Sequence, residues 1–162
     1  MKISIRKVDT RKPEIVALLK YLQKECLPTT VLYDVNKGHW WIAYDGNIPI
    51  GFAGLVRSAS WYDCGYLCRG GIIAGYRGHK LQRRLIKVRE MQAKKLGWTW
   101  IITDTRDNPA SANNLISAGF KMYTPTKPWG FKDALYWRKK LNAVQRSSSK
   151  KRKTGAILEE VL

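Results

Sequence analysis

The chain has 162 residues and a formal net charge of +18 at pH 7, from 30 Lys and Arg residues against 12 Asp and Glu residues. This length suits one domain that buries its own core, and a hydrophobic content of 44% excludes a wholly disordered chain. Because no apolar run could span a bilayer or serve as a signal peptide, we expect a cytoplasmic protein without a membrane partner.

Periodicity divides the first 141 residues into strands and helices. Alternating polarity, or enrichment in β-branched and aromatic residues, predicts strands at residues 2–8, 39–45, 48–58, 66–74, 98–104, 120–125 and 134–141. Apolar positions at helical spacing predict helices at residues 13–26, 81–96 and 109–118. Residues 27–38 fit either a loop or a short additional helix, and Gly46-Asn47 predicts a tight hairpin turn. This order predicts a mixed α/β (α+β) domain with a central sheet.

The composition becomes basic and rich in serine after residue 141, in the stretch QRSSSKKRKTG at residues 145–155. Five Lys and Arg residues and two acids lie beyond that point, a net of +3, so residues 1–141 keep +15 of the total. We therefore predict a domain at 1–141 and a basic flexible tail at 142–162. The charge of the domain predicts an anionic partner, such as a phosphorylated cofactor, a nucleic acid or an acidic protein. Charge that serves solubility alone is the alternative.

The three cysteines predict neither a disulfide framework nor a metal site. Cys26, Cys64 and Cys68 are odd in number and widely spread, which fits a reducing compartment. Cys64 and Cys68 lack a second pair of ligands, so we interpret them as small residues of a partly buried strand.

The stretch GIIAGYRGHKLQRRL, residues 71–85, joins a predicted strand to a basic helix through a short loop. The first N–H groups of a helix lack internal partners and carry the positive end of its dipole, which favours phosphate. Gly78 has no Cβ and would let an anion approach the backbone. Four cations would add charge: Arg77, Lys80, Arg83 and Arg84. The Walker and dinucleotide-binding glycine motifs are both missing from the sequence, so this loop predicts a pyrophosphate site of another type.

At these residues the chain resembles the GNAT N-acetyltransferases, which use acetyl-coenzyme A. Their phosphate motif, [RQ]-x-x-G-x-[GA], follows a strand that ends in a V-x-P-like triplet; here the triplet is Ile72-Ile73-Ala74 and the loop is 77–82. A second family segment, N-x-x-[AS]-x-N-x-L-x-x-x-G-F, is matched with its spacing intact over residues 108–120. The sequence departs from the first motif at Lys80 and Gln82, where the family most often has glycine.

The resemblance implies a central mixed sheet with flanking helices, in which the fourth and fifth strands splay apart to admit the pantetheine arm. It implies these cofactor-binding residues: Ile72, Ile73, Ala74, Arg77, Gly78, His79, Lys80, Leu81, Gln82, Asn108 and Asn113. A backbone N–H near Ile72 would stabilise the oxyanion formed when an amine attacks the thioester. The chain would thus be an N-acetyltransferase that moves acetyl from acetyl-CoA to a primary amine.

The catalytic acid and base differ from those usual in the family. The tyrosine of the second segment aligns with Leu115, and Tyr66 stands where many lysine-acetylating members have glutamate. We predict Asp63 as the base and Tyr123 or Tyr136 as the acid; a solvated loop acid and core tyrosines are the alternatives. A site that works by proximity, with water carrying protons, would suit an amine of low pKa.

The acceptor stays open at this stage. Trp61 and Trp129 fall in loops that, by the same resemblance, border the acceptor site, and we predict that they form its wall. A protein, a small amine or an aminoacyl-tRNA would fit the positive charge of the domain. The competing function is a nucleic-acid-binding module on a GNAT-like scaffold with little or no catalysis. The cofactor motifs favour catalysis, because a pure binding module does not need them.

Overall fold

A computed structural model describes residues 1–142 of the chain. The strands are β1 Ile3–Val8, β2 His39–Asp45, β3 Ile48–Arg57, β4 Cys64–Tyr66, β5 Gly70–Ile72, β6 Trp100–Thr105, β7 Lys121–Tyr123 and β8 Leu135–Lys140. The helices are α1 Pro13–Cys26, α2 Leu81–Lys95 and α3 Pro109–Ser117, with a 3-10 turn at Ala74–Tyr76. The predicted mixed α/β fold is confirmed. Beyond Asn142, the predicted basic tail lies outside the described residues.

The strands form one mixed sheet in the order β1-β2-β3-β4-β6-β8-β7, with β5 paired to β3 beside β4. The pairs are antiparallel except for β4 and β6, which run parallel. Helix α1 covers one face of the sheet and packs Leu19 and Leu22 against Phe52. Helix α2 packs Leu81 and Leu85 into the core of the other face. Burying each leucine stabilises the fold by about 1.5–3 kcal/mol.

The prediction of one strand over 66–74 is wrong, because a β-bulge divides it into β4 and β5. Val56 of β3 pairs with Tyr66, and Ala53 pairs with Gly70. Three residues, 67–69, therefore stand opposite two residues of β3, and the extra one breaks the ladder. A continuous apolar run carries no sign of such an insertion, so periodicity could not locate it.

The segment between α1 and β2 is a loop, which decides the alternative left open by the sequence. Buried Gln23 of α1 anchors this loop through both atoms of its amide. Its Oε1 accepts from the Tyr33 N–H at 2.8 Å, and its Nε2 donates to the Tyr33 carbonyl at 3.3 Å. In the part of the chain described here, no helix is long and apolar enough to cross a membrane.

Candidate active site

The sheet opens into a gap where β5 and β6 part. The parallel pairing of β4 with β6 runs from Cys64 and Trp100 to Tyr66 and Ile102. The last bond of this pairing is donated by the N–H of Leu67 to the Ile102 carbonyl at 3.0 Å. Beyond it β5 pairs only with β3. The predicted splay between the strands at 66–74 and 98–104 is thereby confirmed, with its vertex at Leu67.

Main-chain groups of β5 alternate between β3 and the gap. The carbonyl of Arg69 accepts from a β3 N–H at 2.8 Å, and the N–H of Ile73 donates to a β3 carbonyl at 2.8 Å. In an antiparallel pair the residues between these positions turn their groups the other way. Gly70 and Ile72 therefore present N–H and C=O groups to the gap, where an extended ligand could add as a further strand. The Ile72 carbonyl also accepts from Arg77 Nε at 3.4 Å.

The other two residues of the predicted triplet differ in how their main-chain groups are used. The carbonyl of Ile73 accepts from the Tyr76 N–H at 2.8 Å, so both of its polar main-chain groups are engaged within the protein. The carbonyl of Ala74 accepts from the Arg77 N–H at 3.3 Å as the chain enters the 3-10 turn. Neither residue lines the cleft described next. The geometry thus favours Ile72 over Ile73 as a cofactor contact, and the contact with Ala74 stays a prediction.

A cleft of about 580 Å³ runs from the gap to the N-terminus of α2. Its walls include eight of the predicted cofactor-binding residues: Ile72, Arg77, Gly78, Lys80, Leu81, Gln82, Asn108 and Asn113. His79 is exposed and does not line it. Gly78 has a φ of +90° and open space where a Cβ would stand, so its backbone is accessible to a ligand. The cleft, its helix N-terminus and its cations together fit a pyrophosphate-bearing cofactor.

The backbone conformation at residue 80 explains why the family most often has glycine where this chain has Lys80. Lys80 is the N-cap of α2 and has a left-handed conformation with φ +58° and ψ +22°. Glycine adopts this conformation without strain, whereas a residue with a Cβ is destabilised in it by about 1–2 kcal/mol. Lys80 nevertheless leaves the cleft open and adds a cation to its wall.

The second family segment forms α3 and the wall of the cleft that faces α2. Asn108 caps this helix, because its Oδ1 accepts from the Ser111 N–H at 3.0 Å and Pro109 follows at the first helical position. The Asn108 oxygen therefore has a structural role. Asn113 is exposed on the same helix and lines the cleft.

A smaller chamber of about 120 Å³ continues the cleft inward, to the vertex of the gap. We call it the inner chamber; its walls include Leu67, Gly70, Arg89, Thr103 and Asp104. It shares four wall residues with the cleft: Gly70, Gln82, Ser111 and Asn114. A ligand extended along β5 from the phosphate loop would have its far end here.

Four residues form a second group of functional side chains, which we call the Asp104 cluster: Tyr66, Asp104, Trp129 and Tyr136. The Tyr66 hydroxyl donates to Asp104 Oδ1 at 2.5 Å, and Trp129 Nε1 donates to the same oxygen at 3.2 Å. Burial, and then the Asp104 carboxylate, raise the pKa of Tyr66, so this hydroxyl stays protonated. The Tyr136 ring lies 4.6 Å from Trp129 and its hydroxyl accepts from the Gly130 N–H at 2.9 Å.

Sequence reasoning missed Asp104, although a signal for it exists. Asp104 is the last residue of the predicted strand 98–104, and Tyr66 begins the predicted strand 66–74. Once β4 and β6 pair in parallel, their carboxyl ends meet at one edge of the sheet, which brings these side chains together. The sequence shows both strands but not which strands are neighbours.

Asp63 does not take the predicted position of a catalytic base. It precedes β4 at the end opposite to the gap, and its φ is +61°. Its carbonyl accepts from the Thr99 N–H at 3.0 Å, and its Oδ2 accepts from the Thr99 hydroxyl at 2.7 Å. Asp63 thus fastens the start of β4 to the start of β6, which is a structural role.

Tyr123 lies in an aromatic stack beside the Asp104 cluster. Its ring centroid is 6.3 Å from that of Trp61, and the guanidinium carbon of Arg138 lies 4.7 Å from the centroid of the Tyr123 ring. Burial raises its pKa to about 12. The ring centroids of Trp61 and Trp100 are 5.2 Å apart, so Trp61 packs in this stack, whereas Trp129 belongs to the Asp104 cluster. Their place in an acceptor wall stays a prediction.

The cysteines and the metal prediction have simple outcomes. Cys26, Cys64 and Cys68 are buried and free. Among residues 1–142, no group of three or more His, Cys, Asp or Glu side chains could hold a metal ion.

Comparisons with known proteins agree with this geometry. A sequence model described as the acetyltransferase (GNAT) family matches residues 8–120. Among proteins of curated function, none matches the chain by sequence.

Solved structures share the fold at low sequence identity. A chain of the NatC complex bound to Gag peptide and CoA has a TM-score of 0.70 at 20% identity, over 88% of this chain and 100% of that one. The ribosomal-protein-S18-alanine N-acetyltransferase from Escherichia coli has a TM-score of 0.68 at 15% identity, over 90% and 97%. A Bacillus subtilis acetyltransferase in complex with CoA has a TM-score of 0.69 at 15% identity, over 87% of this chain and 100% of that one. At these identities the likeness establishes the fold alone.

Proposed function

Since the chain belongs to the GNAT acetyltransferase family, we propose that it transfers acetyl from acetyl-CoA directly to a primary amine bound at the Asp104 cluster. The observation that carries this proposal is the position of Tyr66 and Asp104 at the carboxyl ends of the paired strands β4 and β6, beside the gap where β5 and β6 part. The cofactor cleft reaches this point through the inner chamber, of which Asp104 is a wall residue. Acetyl-CoA supplies the activated thioester.

The residues of the cluster can hold the amine and receive its proton. The Asp104 carboxylate would hold the neutral amine, orient its nitrogen toward the thioester carbon and accept the one proton that this nitrogen loses as it bonds to carbon. The N–C bond forms first, and the C–S bond then breaks as the carbonyl is restored, so that the thiolate leaves as CoA. Because the Tyr136 oxygen already accepts from Gly130, its proton is free to be donated to that thiolate. Tyr66 fixes the Asp104 oxygen at 2.5 Å.

An α-amine suits this site better than a lysine side chain. At pH 7.5 about a quarter of an α-amine with a pKa near 7.9 is neutral, against about 0.1% of a lysine side chain. A single hydrogen-bonded carboxylate is a weak base. Acetyl transfer should therefore be fastest to an acceptor amine that is already partly neutral. The names of two structural neighbours, one bound to a peptide and one acting on an alanine of a ribosomal protein, support a peptide α-amine as the first acceptor to try.

The test compares two carboxylates on neighbouring strands. Asp104→Asn should lower acetyl transfer to a tripeptide with a free N-terminus by roughly 10²-fold, within the range for a lost general base. Asp63→Asn is the matched control and should leave transfer unchanged, because Asp63 lies at the far end of β4. Lysine peptides, spermidine and aminoacyl-tRNA complete the acceptor panel, read by mass spectrometry. Loss of activity in Asp63→Asn with full activity in Asp104→Asn would refute the assignment.

A basic face favours nucleic-acid binding as a second candidate function. A groove of about 470 Å³ between β1 and α2 is lined by Ile5, Lys80, Arg83, Arg84, Lys87 and Val88. Within residues 1–142 none of its four cations forms an ion pair. Nearby, burial and the charge of Lys95 lower the pKa of Lys7, which indicates uncompensated positive charge on this face. A phosphodiester backbone would neutralise it.

The basic face is tested by the salt dependence of RNA and DNA binding. Charge reversal of Arg84 and Lys87 should reduce the slope of log K against log salt concentration, measured by fluorescence anisotropy with a labelled RNA and a DNA duplex. Reversal of Lys20 and Lys24, exposed on α1, is the matched control. Equal loss in both pairs of variants would mean that binding follows net charge rather than this groove.

A further inference from the structure

Arg89 of α2 is a buried cation without an anionic partner. It is 4% exposed, and no Asp or Glu in residues 1–142 forms an ion pair with it. Its Nε donates to the Leu85 carbonyl at 3.0 Å, and its Nη1 donates to the Gly54 carbonyl at 3.3 Å. Burial lowers its pKa to about 10, so Arg89 remains charged at neutral pH. Burying an unpaired charge is costly, and a purely structural role would not require it.

One of these contacts is explained by the β-bulge. The N–H of Gly54 donates to the Arg69 carbonyl at 2.8 Å, but the reciprocal bond is not made in the described chain. The bulge therefore frees the Gly54 carbonyl, and Arg89 Nη1 occupies it. This contact accounts for only one side of the guanidinium.

The other side of the guanidinium faces the inner chamber. Nη2 lies 3.5 Å from the position that a Cβ of Gly70 would take, and Arg89 is a wall residue of the chamber. Nη2 donates no hydrogen bond to another described residue. Because Gly70 carries no side chain, only its backbone separates this edge from the gap, to which the Gly70 N–H points. Arg89 and Gly70, each with a donor that has no partner among the described residues, are thus neighbouring wall residues of the inner chamber.

We propose that Arg89 Nη2 and the Gly70 N–H form an anion subsite at the inner end of the cleft, and that this subsite stabilises the oxyanion of acetyl transfer. The inference rests on the proposed function. As the amine nitrogen bonds to the thioester carbon, the carbonyl π electrons move to oxygen, which becomes negative until the C–S bond breaks. A fixed cation and an N–H stabilise that charge more than they stabilise the neutral thioester, so they act on the transition state. Arg89 keeps its own protons throughout.

The subsite can be tested without knowing the acceptor. Carboxymethyl-CoA ends in S–CH₂–COO⁻ and places a negative oxygen within about one bond length of the reacting carbonyl oxygen, whereas carbamoylmethyl-CoA is its neutral counterpart. Isothermal titration calorimetry should show tighter binding of the anionic analogue by about tenfold or more in the wild-type protein. Arg89→Met should abolish this preference. Lys95→Met, an exposed cation on the same helix, should keep it.

The outcomes separate the subsite from the proposed function. Binding of both analogues with equal affinity in the wild-type protein would overturn the subsite and leave the cofactor cleft standing. Failure of both to bind would refute the cleft, and with it the proposed function. A preference that survives Arg89→Met would also overturn the subsite. Should that variant not fold, Arg89→Gln keeps a donor for the Gly54 carbonyl without the charge, and it should lose the preference equally.

Discussion

Substitution of Gly78 tests whether the loop before α2 holds the cofactor phosphates. The φ of +90° and the open space beside the glycine mean that a side chain here meets no protein atom and projects where an anion would lie. An Asp carboxylate about 5 Å from a pyrophosphate with two charges, at an effective dielectric constant of about 40, costs about 3 kcal/mol. Gly78→Asp should therefore weaken acetyl-CoA binding by roughly 10²-fold.

Two controls separate charge from backbone strain. Gly78→Asn has nearly the same shape and shares the left-handed strain but carries no charge, so its affinity should fall by less than about fivefold. Gly75→Asp places the same charge on the neighbouring 3-10 turn, at a glycine with open surroundings that does not line the cleft. The assay is calorimetric titration with acetyl-CoA, alongside melting temperatures to confirm folding. The phosphate assignment would fail if folded Gly78→Asp bound normally, or if Gly78→Asn lost equal affinity.

Two further predictions concern the wall between α1 and the sheet. Gly71→Ala should lower the unfolding free energy by about 1–3 kcal/mol, because the new Cβ would stand 2.5 Å from the Cβ of Cys26. Gly75→Ala is the control, since a Cβ there meets no other atom. Equal melting temperatures for the two variants would contradict the close packing at Gly71. Burial raises the pKa of the Cys26 thiol to about 11, so alkylation by iodoacetamide should be slow at pH 7 and accelerate about tenfold per pH unit below pH 11. Since Cys26 lines the cleft, CoA should slow the reaction further, and rapid labelling at pH 7 would refute this account of its environment.

Local patterns predicted the elements that carry their own signals. Helix α1 has the predicted bounds, because Pro13 marks its first turn and its apolar residues keep helical spacing. The loop at 77–82 could be predicted to line a cleft for the same reason, since its glycine, its cations and the following helix are contiguous in the chain. The sequence also resembles the family through two spaced motifs, and the match over residues 8–120 confirms that resemblance.

Features that depend on neighbours distant in the chain were not predicted. Asp104 and Tyr66 are 38 residues apart and meet only through the parallel pairing of their strands. The burial of Arg89 did have a local signal, because Arg89 lies four residues after Leu85 and four before Ala93 on the buried face of α2. Asp63 was chosen as a base because it precedes the strand that leads to the cofactor site, but the hydrogen bonds of Thr99 hold it at the wrong end.

The β-bulge connects the gap with the Asp104 cluster. Ile72 and Leu67 pack in the core on the α2 face, whereas Tyr66 and Cys68 pack on the α1 face. In an uninterrupted strand Tyr66 and Ile72 would share a face, since they are six residues apart and side chains alternate with a period of two. The extra residue reverses this relation and turns the Tyr66 hydroxyl toward Asp104. The same insertion ends the pairing of β4 with β6, so one local irregularity both opens the cofactor gap and directs Tyr66 to the Asp104 carboxylate, where we propose that the acceptor binds.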